Sequence, residues 1–449
     1  MKIAVFGAGL VGSLYALLMA KAGHKIEVYE KRPDIRKGTK GRSRSINLAL
    51  STRGKTALEK AGILEEVFKL CIPMSGRMVH KISEKTQLQP YSVYNDSIDS
   101  VSRNFLNELL IHEAEKTGNC NYFFNSELLP CKNDHDLPNI VLENKEVISP
   151  KVDFYLGADG VNSICRTYIK DNNFRLEKIS HQYKEIEFPD NNGKHILDKN
   201  ALHIWPRGEY MFIGLPNLDG SFTGTLFLPE EGVNSFAELK TAKDVNDFFV
   251  AKFPDTSDLI PDLVDQFFKN PSSNLGTVWV DKWYDDRKKI GIIGDAAHGV
   301  VPFYGQGMNT GFEDCRLLFE LIEKEGFESH FEKFVATRKE DTDAIAKLSI
   351  NNFIEMRDLV AQPKFILQKK IEGKIQEMFP SKWMPLYSMV SFSNIPYSVV
   401  YNKSLVQQNI MDQIMQIQDI EEKANQESLA PEILSILSTS FYNSDIRQV

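Results

Sequence analysis

Three glycines and one acid near the amino terminus have the types and the spacing to hold a dinucleotide. In residues 2–31, KIAVFGAGLVGSLYALLMAKAGHKIEVYEK, Gly7, Gly9 and Gly12 lie between an apolar strand at 3–6 and a helix reaching about residue 22. A second strand at 25–29 ends in Glu30, 18 residues after Gly12. Gly7 allows the tight turn, Gly9 lets a pyrophosphate approach the backbone, and Gly12 lets the helix lie close to the sheet. The free N–H groups and positive dipole end of the helix receive phosphates, and an acid at the Glu30 position hydrogen-bonds a ribose. The uncharged run 3–20 also has the composition of a signal segment or membrane anchor. Glycine spacing, with no basic start and no stop-transfer flank, favours the nucleotide.

Two more stretches carry chemistry. At Gly157-Ala158-Asp159-Gly160 a strand stops, an Asp-Gly turn follows, and Asn162 and Ser163 open a helix containing Arg166. In KIGIIGDAAHGVVPFYGQGMNTGFED, residues 289–314, a buried strand delivers Gly294 and Asp295 to its C-terminal end, where α/β sheets bind ligands. A loop through Pro302, Gly305 and Gly307 leads to Met308 and Asn309, which open a helix whose N-terminus is a natural anion receptor. Alone, Asp295 reads equally as a helix cap; the GQGMN that follows favours a ligand. Arg103 stands in the first turn of an amphipathic helix at 102–116, with Phe105, Leu106, Leu109, Leu110 and Ala114 on one face. That is a poor place for a cation on dipole grounds, so either a specific anion or a surface salt bridge holds it.

The elements that must position these residues follow from patterning. Short β-type segments fill 73–101, with Arg77 and Tyr91 on adjacent ones; either residue alone reads as a rim side chain. Strand-like pieces alternate with turns over 121–156, and 175–285 is strand-rich, interrupted by helices at 243–253 and near 258–268. From 328 to 449 the pattern is helical. Asn352 and Glu355 share a helix face there, solvated or inward, and Pro380 and Pro385 bracket a loop before Tyr387. With 449 residues the chain holds two or three domains. A net charge of −8 argues against a nucleic-acid partner. Five cysteines without a CxxC pair fit reduced thiols better than disulfides or zinc, and no run beyond residue 20 approaches a membrane span. A soluble, cytoplasmic enzyme is expected.

GAGLVG with Glu30, GADG at 157–160 and GDAAHG…GQGMN at 294–309, in that order, resemble the single-component, class A FAD-dependent aromatic hydroxylases. A finer resemblance, to the branch of that family acting on L-kynurenine, rests on RSINLALSTRGKTAL (44–58), IPMSGRMVH (72–80), LHIWPR (202–207), VPFYGQGMNTGFEDC (301–315), NNFIEMR (351–357) and PLYSMVSFS (385–393). It covers roughly residues 1–400. The resemblance implies an α/β chain. A Rossmann-like FAD-binding domain would be built from 1–72, 101–175 and 286–327, a β-rich substrate domain from 73–100 and 176–285, and a helical C-terminal region from 328–449.

It also implies bound FAD, NADPH as a transient co-substrate without its own Rossmann domain, and O2. Oxygen would pass to L-kynurenine from a flavin hydroperoxide, with no dedicated catalytic acid or base and no metal. Glu30 would bind the FAD ribose, Arg103 and Asp159 would line the cofactor, and Asp295 would hold the ribityl chain. Gly307, Met308 and Asn309 would offer N–H groups to the pyrimidine end of the flavin. Arg77 would pair with the substrate α-carboxylate, with Tyr91, Asn352, Glu355 and Tyr387 around it. RSRSIN departs from the family's GRSIN and leaves Arg42 and Arg44 without an assigned role. The tail 402–449 is polar and amphipathic, so no membrane anchor is read there. Three competing readings remain: a related hydroxylase for another aromatic substrate, a flavin oxidase or sensor, and a nicotinamide dehydrogenase. The last leaves GDAAHG and GQGMN unexplained.

Overall fold

A computed structural model describes residues 1–37, 47–82, 85–359, 362–426 and 428–443. Arg42 and Arg44 lie outside the described residues. A six-stranded sheet runs Tyr284–Asp285, Ile290–Ile292, Phe154–Gly157, Lys2–Phe6, Lys25–Tyr29, Cys120–Phe123, parallel throughout except for its first pair. Ile3 to Phe6 are buried on both faces, the reason their sequence is continuously apolar. The helix Leu10–Lys21 packs against both Arg103–Lys116 and Gly307–Glu325 and is buried through ten of its residues. The uncharged run near the amino terminus is therefore a central strand and a core helix. No described helix is long and apolar enough to cross a membrane.

A seven-stranded sheet has the order Ser273–Val280, Phe174–Phe188, Phe222–Pro229, Met211–Pro216, Leu202–Pro206, Gly76–Val79, Gln87–Pro90. Strand side chains alternate faces. One face carries Phe188, Trp205 and Phe212 against the helices Ala242–Lys252 and Leu263–Lys269. The other carries Val79, Ile204 and Met211 against Phe303, Phe353 and Met356. Arg77 pairs with Leu202 and Val79 with Ile204, which puts Arg77 on this second face. A small sheet of Asn47–Leu50, Ile98–Ser102 and Cys71–Met74 adjoins it. Asn47 Nδ2 and Ser100 Oγ both donate to the Pro216 carbonyl, at 2.7 and 2.9 Å.

The C-terminal chain is helical, as its pattern predicts, beginning with His330–Ile354 and a π turn at Glu355–Leu359. Pro363–Met378, Tyr397–Ile414 and Pro431–Asn443 share a core of Ile371, Ile375, Trp383, Ile414, Ile433 and Leu437. Two local expectations differ. Phe105 is exposed; the buried face of its helix is Leu106, Leu110, Ile111 and Ala114, with Asn107 donating to the Ala8 carbonyl at 2.9 Å. After Gly160 only a short 3-10 turn forms, Cys165–Tyr168. Asp159 Oδ2 accepts the N–H groups of Ile164 and Cys165 at 2.7 and 3.0 Å, and this cap tightens the turn.

A buried ionic network joins these parts. Asp314 Oδ2 accepts from the Gly294 N–H at 3.0 Å and lies 2.5 Å from His298 Nε2, while Oδ1 accepts from Arg338 Nε at 2.8 Å. Arg338 also pairs with Glu313 at 2.7 Å, and Glu313 with Arg53 at 2.6 Å. The Arg53 guanidinium lies 3.8 Å from the Tyr397 ring centroid. Burial alone would raise the Asp314 carboxyl, but the His298 and Arg338 charges and hydrogen bonds outweigh it and hold the carboxyl down at about 2. Such ions are stable only as a set.

Asp314→Asn should therefore cost about 3–5 kcal/mol of stability, read as a lower unfolding midpoint. Because the folded pKa is depressed, the Asp314 contribution is complete above the ordinary carboxylate value near ~3.9 and is lost as pH falls toward about 2. The variant's deficit should accordingly shrink over that acid window; a deficit constant with pH would contradict the ionic origin.

Candidate flavin and substrate site

The cradle for a dinucleotide is built from two helix N-termini and the strand ends beside them. Gly7 has φ +102°, and a Cβ there would lie 2.4 Å from the Ala158 carbonyl oxygen; one on Gly12 would lie 2.0 Å from the Gly7 oxygen. Side chains are excluded at both positions. A Cβ on Gly9 would meet nothing within 4 Å, so that backbone faces open space. The first bond of the helix is Ser13 N–H to Gly9 O at 2.9 Å, which leaves the N–H groups of Leu10, Val11 and Gly12 without intrahelical partners. The second helix repeats the device. Its first bond is Thr310 N–H to Gln306 O at 2.8 Å, leaving Gly307, Met308 and Asn309 free.

Side chains complete the cradle. Glu30 is buried, its Oε2 accepting the Ala8 N–H at 2.9 Å and its Oε1 accepting Arg32 Nε at 2.7 Å. Burial pushes this carboxyl up, but the hydrogen bonds from Arg32 and from the Ala8 backbone outweigh it and hold it below the ordinary range. Glu30 thus stands ionised beside the glycine turn. Asp295, at the strand end, is exposed and is the first residue of the short helix Asp295–His298. Gly294 occupies the cap position, so Asp295 is no N-cap, and among the described residues its carboxylate makes no hydrogen bond or close ion pair, with only the Arg166 charge acting on it from a distance. Arg103 is likewise exposed without a protein carboxylate at ion-pair distance among the described residues. Asp159 lies behind the Gly157 turn with one oxygen capping the 3-10 turn and Oδ1 buried without a partner. The Asn309 side chain is committed inward, accepting from the Ser51 N–H at 2.9 Å and donating to Ala49 and Gly305 carbonyls at 2.8 Å each. Only its backbone N–H is free for a ligand. These groups fit FAD: free N–H groups for phosphates and the pyrimidine end, and carboxylates for hydroxyls.

A second cluster of side chains adjoins the Gly307 turn. Arg77 is 8% exposed, its guanidinium 4.6 Å from the Tyr387 ring centroid and 5.9 Å from that of Tyr91. Tyr91 and Tyr387 stack at 5.0 Å and 12°. Arg77 Nε and the Tyr91 hydroxyl are buried without hydrogen-bond partners, and the Arg77–Glu355 ion pair is loose at 3.8 Å. Asn352 is buried one turn earlier, donating to the Phe303 carbonyl at 2.7 Å; it fixes the 302–304 loop and is the expected residue whose amide is already spoken for. Sequence reasoning missed Tyr304, which stacks on Tyr387 at 5.6 Å directly before Gly305. Its place in the string FYGQGMN was the available signal. Burial pushes the Tyr91, Tyr304 and Tyr387 phenols up, so all three are neutral donors at neutral pH.

Known proteins resemble the chain in sequence and in fold. A family model for an FAD binding domain matches residues 1–326. The kynurenine 3-monooxygenase of Flavobacterium johnsoniae is 45% identical over 445 residues, covering 97% of this chain and 99% of that one. The chain belongs to the kynurenine 3-monooxygenase family. Another member, from Dictyostelium discoideum, is 39% identical over 437 residues, covering 93% of this chain and 94% of its own. Among solved structures, the tetrameric 2-methyl-3-hydroxypyridine-5-carboxylic acid oxygenase superposes with a TM-score of 0.64 at 19% identity, covering 81% of this chain and 95% of that one. Pseudomonas aeruginosa PqsL in complex with 2-aminobenzoylacetate gives 0.64 at 18% identity, covering 79% and 99%. At such identities these two establish the fold alone, and it is the α/β arrangement expected from the sequence.

The unpaired Asp295 carboxylate gives this family member a direct test. Asp295→Ala should weaken FAD binding roughly 10- to 100-fold, the loss of a charge-assisted hydrogen bond of about 1.5–3 kcal/mol, measured by flavin fluorescence on titration of the apoprotein. Unaltered affinity would remove Asp295 from the cradle.

Proposed function

We propose that the chain hydroxylates L-kynurenine to 3-hydroxykynurenine, consuming NADPH and O2, with FAD held by Glu30, Arg103, Asp159, Asp295 and the N–H groups at Gly9–Gly12 and Gly307–Asn309. The observation that carries the substrate reading is Arg77: a buried guanidinium with a partnerless Nε and its nearest carboxylate 3.8 Å away. Burial opposes that charge, while the Tyr387 and Tyr91 oxygens and the Glu355 carboxylate favour it. A ligand carboxylate completes the set. Glu355 beside it suits the α-ammonium of an amino acid, and Tyr91, Tyr304 and Tyr387 supply neutral donors and flat walls. Asn352 holds the loop that separates this end from the Gly307 turn.

FAD held by these residues would supply the redox chemistry, hydride acceptance from NADPH and activation of O2. The protein's own work is binding and exclusion. Arg77 fixes the amino-acid end so that the ring extends toward the Gly307 N-terminus, and the buried tyrosines keep water away. The amine of kynurenine's ring already donates electrons to the ortho carbon. No proton needs removing before attack, in keeping with a cluster that offers phenols and a guanidinium rather than a histidine–carboxylate pair. On the same reading, residues 1–72, 101–175 and 286–327 make up the FAD-binding domain and 73–100 with 176–285 the substrate domain. Five free cysteines support a reducing, cytoplasmic setting.

Arg77→Ala should keep its flavin but raise KM for L-kynurenine by roughly 10- to 100-fold, the equivalent of about 1.5–3 kcal/mol, or lose kynurenine-stimulated NADPH oxidation altogether. A flavin-loaded variant with unaltered kynurenine kinetics would overturn the assignment.

A further inference from the structure

Behind the Arg77 strand lies a polar relay, its two imidazoles buried and its carboxylate partly exposed, that the site does not use directly. His80 continues the strand, its N–H donating to the Ile204 carbonyl at 2.9 Å. Its ring points to the face opposite Arg77, stacked on Trp205 at 4.1 Å. His80 Nε2 lies 2.8 Å from His203 Nδ1, and His203 Nε2 lies 2.8 Å from the Asp198 carbonyl oxygen. On its other side, His80 Nδ1 lies 3.2 Å from Asp255 Oδ2, which also accepts from Trp205 Nε1 at 2.6 Å. Asp255 lies in the first turn of the short helix Pro254–Ser257, part of the helical layer covering this face.

The order of donors and acceptors limits where the protons can sit. A carbonyl oxygen only accepts, so His203 Nε2 carries its hydrogen and donates. In a neutral His203, Nδ1 then presents a lone pair, and His80 Nε2 donates to it. A neutral His80 would therefore turn its own Nδ1 lone pair toward the Asp255 carboxylate. A proton on Nδ1 removes that repulsion and makes an ion pair. Burial pushes His203 down to about 4, in keeping with its neutral role. For Asp255, burial acts upward, but the hydrogen bonds from His80 and Trp205 prevail and keep it ionised.

We infer that His80 is a buried imidazolium locked between Asp255 and His203, and that this relay is a positioning device for Arg77. Arg77 and His80 are three residues apart on one strand segment, so anchoring the rear of the segment to Trp205, His203 and the Pro254 helix fixes the height of the guanidinium at the front. The charged groups facing His80 are Asp255 from the helical layer and Arg207, whose NH1 donates to the His80 carbonyl at 2.8 Å; His203 is the titratable neighbour. Without the Asp255 contact the strand end would be freed and the grip on the substrate carboxylate weakened. The kinetic part rests on the L-kynurenine reading; the protonation part does not.

The test uses the flavin-loaded full chain, labelled with 15N only in its nine histidines. Long-range 1H–15N spectra without substrate should show one histidine, absent in His80→Asn, with both ring nitrogens protonated at neutral pH. A second, His203, should be the Nε2–H tautomer. A singly protonated His80 overturns the relay. Asp255→Asn, which keeps the shape and an acceptor but removes the charge, should raise KM for L-kynurenine roughly tenfold with kcat nearly unchanged, the scale of a small misplacement of a binding group. Asp255→Glu should restore much of it. Should Asp255→Asn not fold, the unsubstituted protein decides: KM rising with the loss of the His80 signal supports positioning, and KM flat across that titration overturns it. Absence of any kynurenine stimulation in the unsubstituted protein would defeat the functional reading, while the spectra still judge the relay.

Discussion

The Asp314 carboxylate is fully buried, and its two oxygens are shared among three elements that must meet for a site to exist. One holds the Gly294–Asp295 turn at the end of the parallel sheet. Asp314 itself lies in the helix whose N-terminus is Gly307. The third partner, Arg338, belongs to the long helix that carries Asn352 near its end and leads into Glu355. Removing any one partner strands a charge in a medium where it cannot be solvated. The network therefore acts as a geometric lock between the half of the site that suits a flavin and the half that suits an amino acid.

Against this lock, the contrast among the buried arginines is informative. Arg53 and Arg338 have carboxylates at 2.6–2.8 Å, while Arg77 has only Glu355 at 3.8 Å. A folded chain seldom leaves a buried guanidinium half-satisfied without a ligand to complete it. Two helix N-termini with free N–H groups and an unpaired Asp295 are the same kind of open account at the other end. Charges are closely paired where the structure holds itself together and loosely paired where a ligand fits.

The glycine turns were legible in the sequence because backbone geometry there admits only one residue type: Gly7 at φ +102° and Gly12 against the Gly7 oxygen leave no room for a side chain. The strand–turn–helix order around them was legible for the same local reasons. Arg77, Tyr91, Glu355 and Tyr387 could be grouped only through family resemblance, since their contacts join segments hundreds of residues apart. Arg338 and Arg53 were not legible at all. Each sits in a charged helix whose pattern reads as solvated, and their burial depends on Tyr397 and Glu313, remote in the chain. Tyr304 and the His80–His203 pair were passed over because an isolated tyrosine or histidine carries no local signal; sheet register brings the histidines together. Phe105 shows the opposite error, an apolar residue assigned inward by periodicity but left outside, the buried face of its helix being Leu106, Leu110, Ile111 and Ala114.

The most direct measurement is NADPH oxidation by the purified flavin-loaded chain, with and without L-kynurenine, with the products identified by mass. The account predicts a slow basal rate, strongly stimulated by kynurenine, and a product heavier by one oxygen in step with the NADPH consumed. Stimulation that yields only hydrogen peroxide, or no stimulation at all, would contradict it.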